Sequence, residues 1–132
     1  MTRLIVEAVS GETKFVDLRS RLELFVSVAR AADGSPVTGL KAQDFRFCSP
    51  AGTVYGLTLE GGREATWEGS DSEGTGCYSL SIAFKPESSG RNPAREWMEG
   101  EFYPFGIQVR FRDASGATHL GQTVVRIQSL GK

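Results

Sequence analysis

The stretch Tyr78-Ser79-Leu80-Ser81-Ile82-Ala83-Phe84 puts a large apolar residue at every second position. Phe105-Gly106-Ile107-Gln108-Val109-Arg110-Phe111 repeats the pattern with four apolar residues on one face. A period of two is the signature of a strand that covers a core with one face and meets water with the other, as antiparallel sheets allow. Leu80, Ile82, Ile107 and Val109 are therefore expected to face inward. Weaker runs add strands at Leu4 to Val9, Phe45 to Cys48, Val54 to Leu59, Ala65 to Trp67 and Thr123 to Gln128. Their recurrence every ten residues or so suits a sandwich or barrel. Leu18 to Ala32 fits both periods: Leu22, Leu24, Val26 and Val28 alternate as a strand, while Leu18, Leu22, Phe25, Val26 and Ala29 recur as a helix face would. The β-branched and aromatic shapes of Phe25, Val26 and Val28 favour strand.

Glycine-bearing punctuation falls at Ser10-Gly11, Asp33-Gly34, Gly61-Gly62, Gly74-Thr75-Gly76 and Ser115-Gly116, which read as turns. Two connections are longer, Glu60 to Gly76 and Lys85 to Glu101, and long connections are where binding surfaces most often sit. In the second, Asn92 suits a helix cap, Pro93 a first helical position and Gly100 a stop, predicting one short helix that carries Trp97 and Met98.

With 132 residues, 39% of them hydrophobic, the chain is expected to form one domain over 1–132 around one core. A net charge of −1 gives no global electrostatic reason to expect nucleic acid or an anionic membrane as partner. No apolar run approaches the roughly 18 residues of a membrane helix. The opening MTRLIVEAVSGETKF lacks the apolar stretch and cleavage site of a secretory signal, so a cytoplasmic location is expected for the chain as written. A piece of a longer secreted protein would read the same way.

The stretch Leu24 to Phe47, LFVSVARAADGSPVTGLKAQDFRF, resembles the opening of bacterial immunoglobulin-like and related β-sandwich modules. A strand is followed there by a turn, the pair Pro36-Val37, then Gly39-Leu40, and Asp44-Phe45 opening the next strand. Gly76-Cys77-Tyr78-Ser79-Leu80 and Tyr103-Pro104-Phe105 look like two further strand openings of such modules. The resemblance implies an all-β antiparallel sandwich, immunoglobulin-like, of seven or eight strands with one short helix in a loop. Modules of this kind mostly bind proteins or sugars, or act as spacers, and share no active site. The spacing of Cys48 and Cys77 departs from the cysteine and tryptophan spacing of antibody domains.

Few residues invite chemistry. His119 is the single histidine, and a strand-end histidine explains it better than a nucleophilic triad. One histidine and two distant cysteines lack the ligand spacing of a zinc site, and no metal or cofactor is expected. Cys48 and Cys77 could be bridged if their strands are neighbours, but two free, mostly buried thiols are the favoured reading. Glu96, Glu99 and Glu101 could serve as paired carboxylates of a glycosidase, although solvated charge accounts for them. Gly61-Gly62-Arg63 lacks the lysine of a phosphate loop, and Arg110-Phe111-Arg112 is explained by alternation, with Phe111 inward.

Charge is segregated along the chain. Residues 60 to 101 hold nine acids and four bases, a net of −5 that leaves +4 elsewhere. Arg110, Arg112 and Arg126 lie on strands of the opposite sign. The expected function is a non-enzymatic binding or assembly module that meets a protein partner or a second copy of itself, with a carbohydrate-binding module and a small glycoside hydrolase as alternatives. The expected binding residues are Trp97, Met98, Trp67, Glu96, Glu99 and Arg95, with Trp97 foremost because a large rigid aromatic dominates many interfaces. The competing role for Trp97 is a plug closing the open end of the sandwich.

Overall fold

The structure, a computed structural model, describes residues 2–14, 21–48, 57–67, 73–84 and 102–128. The protein is all-β. Seven strands, β1 (Thr2–Lys14), β2 (Arg21–Arg30), β3 (Phe45–Cys48), β4 (Leu57–Thr66), β5 (Gly74–Phe84), β6 (Phe102–Arg112) and β7 (Thr118–Gln128), form one sheet in the order β3-β6-β7-β1-β2-β5-β4. All neighbours are antiparallel except β1 and β7, which pair in parallel through Thr2 with His119 and Arg3 with Leu120. The sheet is thus mixed, where wholly antiparallel pairing was expected. A parallel pair needs a long connection, and here most of the chain lies between its two strands.

Alternation decides which side is the core. Leu4 and Val6, then Leu24, Val26 and Val28, Tyr78 and Leu80, Phe105, Ile107 and Val109, and Val125 and Ile127 are all buried, and they form one apolar cluster. Leu80, Ile107 and Val109 face inward as expected; Ile82 continues β5, its side chain lying outside the described residues. Phe45 of β3 meets Tyr78 of β5 edge to face, with ring centroids 5.3 Å apart. Those two strands stand far apart in the strand order, so the sheet curls until its inner faces meet. At the β1–β7 seam the approach requires a glycine: a Cβ on Gly121 would lie 2.8 Å from the Leu4 Cβ and backbone oxygen and from the Val6 Cγ2.

Leu22 to Val28 is strand, not helix, and pairs with β1 on one side and, as far as Ser27, with β5 on the other. Three expected turns lie inside strands instead. Ser10-Gly11 falls where β1 shifts register against β2 before Thr13, and Gly61-Gly62 where β4 shifts against β5. Gly74-Thr75-Gly76 opens β5. The expected long connection Glu60 to Gly76 is therefore mostly two paired strand arms, and the separate strands at Val54 to Leu59 and Ala65 to Trp67 belong, over their described parts, to β4 and its end. Among the described residues the helical content is a single 3-10 turn, Ala42–Asp44, with the Lys41 N–H donating to Asp44 Oδ2 at 2.8 Å. The short helix expected around Pro93 lies outside the described residues.

The turns that remain share one device. Asp33 Oδ1 accepts from the Ser35 N–H and hydroxyl at 2.9 and 2.7 Å, and Asp113 Oδ1 accepts from the same two groups of Ser115 at 2.9 and 2.6 Å. An aspartate closing on the residue two ahead is a backbone turn made by a side chain. Ser35 above all, through its hydroxyl, holds the Asp33 carboxyl below the usual carboxylate range.

Candidate functional site

Two outward faces of the sheet carry features that the core does not need. On the first, the register aligns Val9 with Phe25, Phe25 with Ser79 and Ser79 with Arg63, one transverse row over β1, β2, β5 and β4. A second row begins Glu7, Ser27, Cys77. Between the rows runs a groove of about 1100 Å³ lined by Val9, Phe25, Arg63, Ala65, Cys77 and Ser79 among others. Val9 and Phe25 are 62% and 46% exposed and stand directly opposite each other. An apolar cross-strand pair left in water gives a surface something to bury. Glu7 and Glu23, both exposed, flank the pair.

The second face lies over β3, β6 and β7. Arg46, Arg110, Arg112 and Arg126 are exposed there, and Arg3 joins them from β1 through its pairing with Leu120, which lies opposite Arg110. Among the described residues no acid and no lysine occupies an outward position of β3, β6 or β7. Gly106 interrupts the side-chain rows, leaving a furrow of about 600 Å³ between Arg46, Gln108 and Gln122 on one side and Val124 on the other. Val124 and Phe102 are 61% and 59% exposed.

The end of the groove face is pinned to the crossover that leads from β2 to β3. Glu64 reaches inward from β4, accepting from the Gly39 N–H at 2.8 Å through one carboxylate oxygen and from the Gly76 N–H at 3.0 Å through the other. Gly76 has φ +75, and a Cβ there would meet the Val28 carbonyl oxygen at 2.8 Å. The Tyr78 hydroxyl lies on the same crossover, and its burial pushes the phenol well above its ordinary value. Glu64 and Tyr78 thus tie β4 and β5 to the crossover.

Of the expected binding residues, Trp67 is described. It follows β4, is 55% exposed, and its backbone N–H donates to the Glu73 carbonyl oxygen at 3.2 Å. Trp97, Met98, Glu96, Glu99 and Arg95 lie outside the described residues, as does the connection Lys85 to Glu101. Cys77 is a free thiol and exposed on the groove face, which corrects the expectation that it is buried; alternation placed it outward beside the inward Tyr78. His119 is buried against Phe111, with rings stacked 4.6 Å apart, and its Nε2 lies 2.7 Å from Asp113 Oδ2. A carboxylate accepts, so Nε2 carries the hydrogen; Nδ1 is buried with no partner among the described residues. This pair ties the base of the β6–β7 turn, with no hydroxyl or thiol placed against the ring among the described contacts. Among the described residues no helix is long and apolar enough to cross a membrane.

No protein family, curated protein or solved structure matches this chain.

Proposed function

We propose that the protein is a non-enzymatic binding or assembly module, a β-sandwich in the broad immunoglobulin-like sense, that meets its partner through the outward face of β1, β2, β5 and β4. The observation that carries this reading is the Val9–Phe25 pair, apolar, exposed and set beside a groove of about 1100 Å³. Aromatic anchors with a polar rim are the usual anatomy of a protein interface. The fold of the sheet over one core supports the sandwich reading, with β1 as the strand common to both halves.

A photo-reactive phenylalanine analogue at position 25, irradiated in the native host and followed by mass analysis, tests it. A covalent adduct to a protein is expected, and irradiation that yields no protein adduct overturns the reading. Trp67, exposed at the end of β4, favours carbohydrate binding as a second reading, since sugars stack on exposed indoles. A glycan array answered by the parent but not by Trp67→Ala would move the function there.

A further inference from the structure

We propose that the partner is a second copy of this chain, docked head to tail, with the Val9–Phe25 face of one copy seated on the arginine face of the next. The inference rests on the binding-module reading above and names its partner. Three matches carry it.

The first is charge. The outward positions of β3, β6 and β7 hold arginines without a compensating acid, while Glu7 and Glu23 border the apolar pair on the other face. Arginine with no lysine is the composition of a protein interface, because the guanidinium is weakly hydrated and grips a carboxylate through two N–H groups.

The second is spacing. Glu7 lies opposite Ser27 and Glu23 four residues along β2, which places the two glutamate Cα atoms about 14 Å apart by standard strand geometry. Arg46 lies opposite Gln108 and Gln122, and Arg126 stands four residues further along β7, so these two arginines are about 17 Å apart. Both side chains are long enough to absorb the difference.

The third is relief. Phe25 rises midway between the glutamates, and the Gly106 furrow, about 600 Å³, opens midway between Arg46 and Arg126 with the exposed Val124 at its wall. Seating the ring in the furrow buries Phe25, Val9 and Val124 together and brings each glutamate to an arginine.

Because the two faces differ, the contact is heterologous, and each copy keeps one face free to propagate a ring or filament. Sedimentation velocity on the parent, on Glu7→Arg/Glu23→Arg and on Arg46→Glu/Arg126→Glu tests this. The parent is expected to assemble with rising concentration at low salt and to dissociate at high salt. Each double variant alone is expected to lose the assembled species, since like charges now meet at every junction. Mixed in equal amounts, the two are expected to recover it, because opposite charges face each other again. A parent that stays monomeric at low salt, variants that assemble as the parent does, or a mixture that does not recover assembly would each overturn the inference. Should a double variant melt early, Phe25→Ser and Val124→Glu replace it, each expected to abolish assembly at an unchanged melting temperature. A monomeric parent with a cross-link from position 25 to a different protein removes only the second copy as partner, whereas the absence of any protein cross-link removes the binding module itself.

Discussion

The Tyr78 hydroxyl donates to the Val37 carbonyl oxygen at 2.7 Å and accepts from the Leu40 N–H at 3.1 Å, tying β5 to a segment some forty residues earlier. Val37 is 2% exposed, so its carbonyl has no water to turn to. Tyr78→Phe should lower stability by about 1–3 kcal/mol, the cost of a buried polar group left unmade, read from urea melts. Burial raises the folded phenol above its unfolded value near 10. Its contribution is therefore complete below that pH and lost as pH climbs beyond it, and the parent should lose stability in alkali more steeply than Tyr78→Phe.

Gly121→Ala should destabilise the protein by about 1–3 kcal/mol through overpacking. The obstacle to the new methyl includes the Leu4 backbone oxygen, which cannot rotate away as a side chain would. A thermal melt unchanged from the parent would show that β1 and β7 are not closely apposed at Leu4 and Gly121.

The His119 imidazole N–H, with help from Ser115, holds the Asp113 carboxyl far below the usual carboxylate range. Since the folded value lies under the unfolded one, the contribution is fully present above about pH 4 and fades as pH falls further. In His119→Phe the titration of Asp113, followed by the carbon resonance of its carboxyl, should move upward toward the ordinary value. No movement would mean that the Ser115 contacts alone suffice.

Ile107→Ala should cost about 2–5 kcal/mol as a cavity opens beneath β6, since Ile107 is 1% exposed. Val124→Ala, one rung away on the facing strand and pointing outward, should stay within about 0.5 kcal/mol. Equal effects at the two positions would reverse the faces assigned to the sheet.

Strand alternation was readable at Tyr78 to Phe84 and Phe105 to Phe111 because those strands are apolar on one side only. Gly61-Gly62 misled for a physical reason. Glycine marks a turn in most contexts, but a Cβ on Gly62 would lie 2.9 Å from Leu80 Cδ2, so here a strand glycine makes room for its neighbour. Arg110, Arg112 and Arg126 could be called outward from their spacing alone. That Arg3 and Arg46 share their face could not, because strand order is set by contacts remote in sequence. Nor could Val9 and Phe25 be picked from the other apolar strand residues: parity marks them as outward only once Leu24 and Val26 are known to be the buried set.

The parallel pairing of Thr2-Arg3 with His119-Leu120 also sets a schedule. Of the seven described strands, the one at the middle of the sheet is made first, and its neighbour on one side is made last. During synthesis β2 can cover one edge of β1 early, while the other edge waits with its backbone groups unpaired until the β6–β7 hairpin has been made. An open edge is a template for other chains, and closing a contact of such long sequence separation is slow. Through the interval between the two events that edge of β1 stands open to mispairing, and the turn held by Asp113 and Ser115 joins the two strands whose pairing must precede its closure.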